Sequence, residues 1–488
     1  MFACAGAGTA QDAATPQSGQ PAARPAVHGH RPINQGAAPS NAALCAPCVK
    51  DNLSYLAGPA LHGRGSGTED EQHAAEYIAA KLKSYGLAPA AADGEFIQVG
   101  TLRSREVVGN PTLTVDAKAD GGAPPLVLTH GKQIVIDGLS QMPVSAALQK
   151  LDLNDEKASP NEVAAGAALL VKLKAGATME EVWRALEPYR NGKAALVIVA
   201  TSPASQRMFD WLAKHPPEMP RQFGDEEPRT SATLVLAKPE TFAQLWGEPD
   251  GTNLTLQAEI MPWKTSHTWN VLAKIEGASE KDQVILLSAH LDHLGVVKGQ
   301  TYYGADDDAS GTAAVMELAR VLGALPTPKR TIIVALWGSE ELGMVGASYF
   351  LKNPTFPLKD IVANLEFEMI GRSDPKVMPS QIWLTGWERT NLGPKLAQHG
   401  ANLVGDPHPS EKFFTRSDNY ALAQKGIVAQ TVSSYGMHPD YHQPTDTVNK
   451  INFQHMDSAI ASMIVPVTWL ANSDFTPEWL PGKQPSVK

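Results

Sequence analysis

The chain has 488 residues, which is too many for one compact core and predicts two or three domains. Hydrophobic residues make up 43% and charged residues 19%, the composition of a soluble globular protein. The net charge is −10 with no basic run, which argues against a nucleic-acid-binding protein, and no apolar segment approaches the roughly 20 residues that span a bilayer.

The first 50 residues are rich in Ala, Pro, Gly and Ser and show no periodicity, which predicts a disordered tail. Residues 1–11 contain the small residues typical of a leader cleavage site, without a basic start or an apolar middle. The alternative is therefore the remnant of an export leader. Cys45 and Cys48 have the spacing of a redox motif but no thioredoxin-like context, so we expect a local disulfide or two ordinary thiols.

The first predicted helix is amphipathic and runs from Asp70 to Gly86. Its apolar residues follow the helical i, i+3, i+4, i+7 spacing at Ala75, Ile78, Ala79 and Leu82. A polar, glycine-rich loop precedes it. Arg64 in that loop either faces a cleft or, by default, is an exposed loop arginine.

Residues 107–263 have a different sequence pattern from the rest of the chain. Short apolar runs alternate with turn-rich stretches and one helical piece, and no cluster of His, Cys, Asp and Glu occurs. The predicted strands are 126–128, 168–171, 195–199, 233–236 and 254–258, and the helix is 179–186. We interpret this stretch as an accessory α+β domain inserted between two parts of a main domain, 51–106 and 264–488.

From residue 270 onward, continuous apolar strands alternate with helices. The predicted strands are 284–289, 331–337, 361–367 and 427–432, and the predicted helices are 310–322, 342–351 and 457–470. Such alternation is typical of a largely parallel sheet covered on both faces. The fold class is therefore α/β, with a mixed, mostly parallel central sheet flanked by helices.

Acidic and imidazole side chains follow the carboxyl ends of these strands, where open α/β sheets bind their ligands. Strand ends contribute His290, Glu340, Glu341 and Glu368, and loops contribute Asp307 and His442. Imidazoles and carboxylates in these numbers can hold two cations that activate a water for hydrolysis. The sequence thus predicts a two-metal hydrolytic cleft.

Some assignments stay open on chemistry alone. Any of the three consecutive acids at 306–308 could bridge two ions, while the others cap the helix that follows. Of the two adjacent glutamates, one could bind a metal and the other act as a general base. Spacing does not separate His438 from His442, one being a ligand and the other a surface residue.

The motifs resemble those of the M28 metallopeptidases, which are co-catalytic dizinc aminopeptidases and their carboxypeptidase relatives. The resemblance covers about Leu61–Gly86 and Asn270–Leu470, in the family's order. The matching motifs are AHLDHLG, GADDDASG, WGSEELG, NLEFEMIG, FTRSDN and YHQPTDT. The resemblance implies the zinc-exopeptidase type of α/β fold. Because residues 107–263 lie where many members carry a protease-associated (PA) domain, it also implies that they form a PA-like domain.

The resemblance also implies a role for each site residue. Asp307, the third residue after Gly304, would bridge two Zn²⁺ ions, for which other divalent transition metals could substitute. Glu340 would be the general base, Asp292 would support His290 from behind, and Arg416 and Tyr441 would line the substrate cleft. The implied metal ligands are His290, Asp307, Glu341, Glu368 and His442. Many members carry Asp where this chain has Glu368, which puts the identity and occupancy of the second metal in doubt.

The implied activity is that of an exported exopeptidase acting on peptides, most simply an aminopeptidase. A carboxypeptidase or dipeptidase on the same scaffold is the nearest alternative. A single-zinc glutaminyl cyclase type is disfavoured because all five ligand positions carry ligating residues. A non-catalytic receptor-like protein is disfavoured because such proteins usually lose ligands. The sequence does not indicate an oligomeric state.

Overall fold

A computed structural model describes residues 43–116, 124–139, 142–155, 159–215, 217, 219, 222–223 and 231–485. The described residues form two compact units, one containing those up to 100 and from 268 onward, the other those from 101 to 267. The expected insert, 107–263, falls within the second unit, and its PA-like character stays a prediction. The expected leader, at residues 1–11, lies outside the described residues.

The described residues contain ten α-helices and twenty strands. The helices are α1 Ala46–Leu56, α2 Glu69–Ser84, α3 Met179–Arg190, α4 Gln206–Leu212, α5 Pro239–Trp246, α6 Ala309–Ala324, α7 Val345–Lys352, α8 Leu392–Gln398, α9 Asn419–Ala423 and α10 Phe453–Asn472. The strands are β1 Ala88–Pro89, β2 Ile97–Ser104, β3 Val107–Val115, β4 Leu126–Thr129, β5 Ile134–Asp137, β6 Val144–Asp152, β7 Ala168–Lys172, β8 Leu196–Ala200, β9 Gln222–Phe223, β10 Thr233–Ala237, β11 Asn253–Ile260, β12 Lys264–Ile275, β13 Glu280–His290, β14 Gly295–Val297, β15 Gln300–Tyr302, β16 Arg330–Trp337, β17 Ile361–Phe367, β18 Ile382–Leu384, β19 Leu403–Gly405 and β20 Ala429–Ser433. Among the helices of this part of the chain, none is both long and apolar enough to cross a membrane.

The first unit is built on a mixed sheet with strand order β19-β18-β20-β17-β13-β16-β12-β2. β13 runs parallel to β16 and β17, and β17 runs parallel to β20. β12 and β18 are antiparallel to their neighbours β16 and β20. The predicted mixed α/β fold is therefore confirmed. The apolar strands β16, β13, β17 and β20 pair in parallel with one another at the centre of the sheet, where both faces are buried.

Helices cover both faces of this sheet, which keeps its central strands buried. On one face α6 packs with α1, α2 and α10, and every α6 residue from Ala309 to Leu322 is buried. A helix in this position has no polar face, which its alanine-rich sequence reflects. On the other face, Phe350 of α7 and Leu422 of α9 pack against Trp337 and its neighbours in the sheet.

The second unit contains a separate eight-stranded sheet with the order β4-β3-β11-β6-β7-β8-β10-β5. Strands β6, β7, β8 and β10 are parallel, whereas β3 pairs antiparallel with β4 and β11, and β5 pairs antiparallel with β10. Two apolar clusters, one centred on Leu170 and Ile198 and the other on Leu169 and Val197, bury opposite faces of its central strands.

The helix α1 was not predicted, and it shortens the expected tail. Residues 46–50 belong to this helix, whose Val49, Leu53 and Leu56 are fully buried in the core. Cys45 and Cys48 form a disulfide at its first turn, which was one of the two expected outcomes. A buried carboxylate of α6, Glu317, accepts a hydrogen bond from the Cys45 amide at 2.6 Å. These contacts order residues that composition alone assigned to the expected tail, while residues 1–42 lie outside the described part of the chain.

Arg64 is fully buried, so the default expectation of an exposed loop arginine was wrong. Its guanidinium donates hydrogen bonds to four backbone carbonyls, at 2.6–3.0 Å, which belong to Leu56, Leu291, Tyr303 and Gly304. Desolvation lowers its pKa to about 10, while nearby aspartates favour the charged form. Arg64 thus ties the segment after β13 to the loop that precedes α6.

Glu71, in the first turn of α2, is a buried carboxylate that fixes a second loop. One oxygen accepts hydrogen bonds from the Thr268 hydroxyl and the Trp269 amide, at 2.9 and 3.1 Å. The other accepts from the Gly67 amide and from the Ser339 hydroxyl, the latter at 2.9 Å. A Cβ at Gly338 would lie 2.1 Å from the Glu71 carboxylate, so the glycine of WGSEELG makes room for this contact.

We expect Glu71→Gln to lower the free energy of unfolding by about 3–6 kcal/mol. The amide nitrogen cannot accept two of the four hydrogen bonds, and bonds to charged groups contribute about 1.5–3 kcal/mol each. Guanidinium unfolding followed by tryptophan fluorescence measures the change. Glu69→Gln, an exposed position in the same helical turn, is the matched control. Equal stability of the two variants would contradict this role of Glu71.

Candidate metal centre

Three neighbouring parallel strands deliver side chains to one edge of the central sheet. His290 is the last residue of β13, and Glu368 directly follows β17. Two residues after β16, the chain enters a single 3-10 turn, Glu340–Leu342. Because β13 lies between β16 and β17, these strand ends converge, as the rule for open α/β sheets predicts.

Asp307 lies at the centre of this group and presents its two carboxylate oxygens in different directions. Oδ1 is 3.2 Å from Nε2 of His290. Oδ2 is 3.1 Å from Nε2 of His442, which in turn is 3.1 Å from Oε2 of Glu341. A carboxylate whose two oxygens face different sets of side chains has the arrangement needed to bridge two cations.

Two overlapping sets of donor atoms could each hold a cation. The ligating atoms of His290, Asp307 and Glu368 all lie within 4.8 Å of one another. The same holds for His293, Asp307 and Glu341. Asp307 belongs to both sets, which we call the first and second donor groups.

Several of the donor atoms have no hydrogen-bond partner among the described residues. Both ring nitrogens of His290 and of His293 are buried without a hydrogen bond to any described residue, as are Oδ2 of Asp307 and Oε1 of Glu341. A buried polar group left without a partner costs about 1–3 kcal/mol, and more when it is charged. Imidazole nitrogen and carboxylate oxygen are the donors that zinc prefers, so the residues present fit such an ion.

The charges of the donor residues also favour binding of a cation. Desolvation and the Asp307 charge would raise the pKa of Glu341, but His442 and His293 outweigh them and lower it to about 2. Desolvation would lower the pKa of His442, yet Glu341 and Asp307 raise it to about 10. Protons on imidazoles and divalent cations are alternative ways of balancing these carboxylates, so metal binding should release protons.

Asp292 supports the 3-10 turn as well as the predicted histidine. Its Oδ1 accepts a hydrogen bond from the Glu340 amide at 2.9 Å and lies 3.6 Å from Nδ1 of His290. Its Oδ2 accepts from the Ser66 hydroxyl at 2.5 Å and from the Glu341 amide at 3.3 Å. Asp292 therefore fixes the backbone positions of Glu340 and Glu341.

The other two acids of the 306–308 run have structural partners. Asp308 caps α6 by accepting from the Gly311 amide at 2.9 Å, and it also accepts from the Met369 amide at 3.1 Å. Asp306 accepts from the Gly371 amide at 2.7 Å. Both therefore hold backbone at the end of β17 close to the start of α6.

His438 is not a surface residue, which corrects one of the sequence expectations. It is 3% exposed, and its Nε2 lies 3.1 Å from Oδ2 of Asp306, outside both donor groups. His442 has the more exposed side chain, at 22%. Sequence spacing could not distinguish them because the loop between the two histidines folds over the Asp306–Asp308 turn.

Arg416 and Tyr441 lie beside the donor groups. The Tyr441 ring stacks on His442 with centroids 4.0 Å apart, and the Arg416 guanidinium lies 6.0 Å from the Tyr441 ring centroid. Together with Glu368, Trp383 and Phe413, they line a cavity of about 30 Å³. The structure thus brings both predicted cleft residues to the edge of the site.

Sequence reasoning missed three further groups at this site. Glu366 precedes Glu368 by two residues, and since side chains alternate along a strand, that spacing could have revealed it. Glu366 accepts a hydrogen bond from the Asn419 amide. Both carboxylate oxygens of Asp418 are buried without a hydrogen bond to a described residue. His293, the second histidine of AHLDHLG, is the third.

Comparison with known proteins confirms the resemblance drawn from the motifs. Residues 270–466 match the model of Peptidase family M28. A 171-residue segment is 33% identical to a probable zinc metalloprotease of Leptosphaeria maculans, covering 34% of each chain. A probable lipoprotein aminopeptidase of Mycobacterium tuberculosis is 28% identical over 243 residues, which is 43% of this chain and 46% of that protein. The chain thus spans less than half of the length of these curated relatives.

The fold resembles that of an aminopeptidase from Aneurinibacillus sp. strain AM-1. The TM-score is 0.53 at 18% identity, over 91% of this chain and 96% of that one. At this identity the likeness concerns the fold alone. The match to peptidase family M28 covers residues 270–466, which is less than half of the chain.

Proposed function

We propose that the protein is a zinc-dependent aminopeptidase that removes N-terminal residues from peptides. The observation that carries this proposal is the placement of the two Asp307 oxygens in two donor groups that contain unpartnered imidazoles. The names of two relatives, a probable zinc metalloprotease and a probable lipoprotein aminopeptidase, support the metal and the reaction. We also retain export and a PA-like role for 107–263 as proposals.

Two zinc ions are proposed, one in each donor group, with Asp307 shared. The first would be held by His290, Asp307 and Glu368 of the first donor group. The second would be held by Asp307 and Glu341 of the second donor group together with His442, whose Nε2 lies 3.1 Å from an oxygen of each. When bound, such ions polarise a carbonyl and lower the pKa of a water molecule toward neutrality. Other divalent transition metals would suit the same nitrogen and oxygen donors.

Glu340 is the proposed general base. Desolvation, followed by the neighbouring carboxylates of Asp418, Glu341 and Glu368, raises its pKa well above the ordinary value, although His290 opposes this. A carboxylate with a raised pKa can take a proton from the attacking water and return it to the departing amine. The hydrogen bond from its amide to Asp292 holds it at the rim of both donor groups.

The amine end of the substrate is proposed to bind on the side of Glu368. Glu366 and Asp418 lie there, and desolvation raises the pKa of both carboxyl groups; the Glu368 charge adds to this at Glu366, and the Glu366 charge at Asp418. A substrate ammonium would relieve this repulsion, whereas a substrate carboxylate would add to it. The alternative, a carboxypeptidase, would use Arg416 to bind a terminal carboxylate.

Chelation should remove up to two ions per chain and destabilise the protein. An ion present at a hundredfold its Kd contributes about 2.7 kcal/mol of stability, so the melting temperature should fall after treatment with chelator and recover with zinc. Metal analysis and calorimetry measure both effects. Asp307→Ala should retain neither ion, while Asp474→Ala, an exposed control, should retain both. Full metal binding by the Asp307 variant would exclude the bridging role.

Glu340→Gln should keep its metal content but lose activity by a factor of about 10²–10⁴, since general bases contribute this much. Peptidase assays on metal-loaded protein measure the loss. Glu388→Gln, whose side chain is 65% exposed, is the control. Unchanged turnover in the Glu340 variant would remove it from the base role.

Aminoacyl-nitroanilides should be cleaved, and their N-acetylated counterparts should not. The reason is that only the free substrate carries an ammonium for the Glu366, Glu368 and Asp418 carboxylates. Comparing kcat/KM for each pair measures the preference. Cleavage of N-blocked peptides from their carboxyl end would instead identify a carboxypeptidase.

A further inference from the structure

His293 is a third imidazole at the metal centre, and neither the motif assignments nor the proposed mechanism uses it. Its side chain is completely buried, and both ring nitrogens lack a hydrogen bond to any described residue. Its Nδ1 lies 2.7 Å from Oε1 of Glu341 and 3.8 Å from Oδ2 of Asp307. Its ring meets that of His442 edge-on, with centroids 5.7 Å apart.

We propose that Nδ1 of His293 is a fourth protein ligand of the second ion, beside Asp307, Glu341 and His442. This inference rests on the proposed metal-dependent function. Ligands at about 2.0–2.2 Å from a tetrahedral zinc ion lie about 3.3–3.6 Å from one another. The donor separations in the second group, 2.7, 3.1, 3.1 and 3.8 Å, bracket that spacing. Glu341 turns one oxygen toward each histidine, so this carboxylate and the two imidazoles would hold the same ion.

A hydrogen bond between His293 and Glu341 does not account for the geometry. Nδ1 of His293 and Oε1 of Glu341 lie 2.7 Å apart, yet neither atom has a hydrogen-bond partner among the described residues. A buried imidazole nitrogen beside a carboxylate oxygen in this state is what a shared cation would satisfy.

The surrounding backbone holds the ring in this position. The His293 amide donates to the Arg64 carbonyl at 3.0 Å, and the His293 carbonyl accepts from the Ser66 amide at 3.1 Å. A Cβ at Gly304 would lie 2.5 Å from Cγ of the imidazole. Gly304 also has a φ of +57°, so this position is doubly restricted to glycine. The loop that leads to Asp307 therefore makes room for the ring of His293.

The two donor groups consequently differ in number of ligands. The second group would have four protein ligands and be closed, as in structural zinc sites, whereas the first has three and keeps a coordination position free. The ion in the second group should therefore bind more tightly and exchange more slowly than the ion in the first.

The test compares His293→Asn with the parent protein and with His62→Ala, whose imidazole is 60% exposed and paired only with Asp70. Asparagine keeps an N–H that can donate to Glu341, so a hydrogen-bonding role would be rescued, whereas a ligand role would not. Competition with a zinc chelator of known affinity measures each ion. His293→Asn should weaken one ion more than a hundredfold, beyond the ~10–100-fold effect of losing an outer partner.

Visible absorption of the cobalt-substituted protein is a second readout, because it reports the ligands and geometry of the ion independently of activity. The spectrum should change in His293→Asn and stay the same in His62→Ala. His293→Gln repeats both measurements, and unfolding of the metal-free variants checks that they fold. Two ions bound with parental affinity and an unchanged cobalt spectrum would overturn the inference. Absence of bound metal from the parent protein would instead overturn the proposed function itself.

Discussion

The structure depends on how buried negative charge is balanced at one end of the central sheet. Asp292, Asp306, Asp308, Glu366 and Asp418 are all buried there, around the Asp307 carboxylate, which is 2% exposed. A buried carboxylate is costly unless it is paired or well hydrogen-bonded. Backbone amides satisfy some of this charge, since the caps of α6 and of the 3-10 turn direct several N–H groups at aspartates. The imidazoles face the remainder, and divalent cations would complete the balance.

The same constraint explains why the surrounding loops are tied so closely. Arg64 binds only backbone carbonyls, so its charge stays near the aspartates without neutralising any one of them directly. On the opposite side, Asp446 accepts hydrogen bonds from the amides of Asp306 and Asp307 and is paired with Arg372 at 3.2 Å. Asp307 is therefore positioned by contacts on both sides of its loop. Donors arranged in this way need little reorganisation when a cation enters, which favours tight binding.

The parts of the fold that the sequence predicted are those that depend on local pattern. Buried parallel strands are continuous apolar runs, so β13, β16 and β17 could be located, and the strand-end rule then brought His290 and Glu368 together. The parts that it missed depend on contacts between distant segments. Arg64 is buried because four carbonyls from three separate segments meet around it, and α1 is ordered because α6 and α10 supply its partners. His293 lies beside Asp292 in the sequence, but only the folded loop shows that its ring points at Glu341.

The charged groups differ between the two sides of the proposed site. His293 and His442 lie on the side of Glu341, where two imidazoles share the carboxylates of the second donor group. On the side of Glu368, by contrast, Glu366 and Asp418 are buried carboxyl groups whose pKa desolvation raises, and a nearby cation would favour their charged form. A bound peptide would therefore place its cationic amine beside the first group and its scissile bond next to Glu340. Glu is one methylene longer than Asp, and the Glu368 carboxylate still lies within 4.8 Å of the ligating atoms of His290 and Asp307. Glu368, where many members of the resembled family carry Asp, would thus lie between the proposed metal site and the proposed amine site.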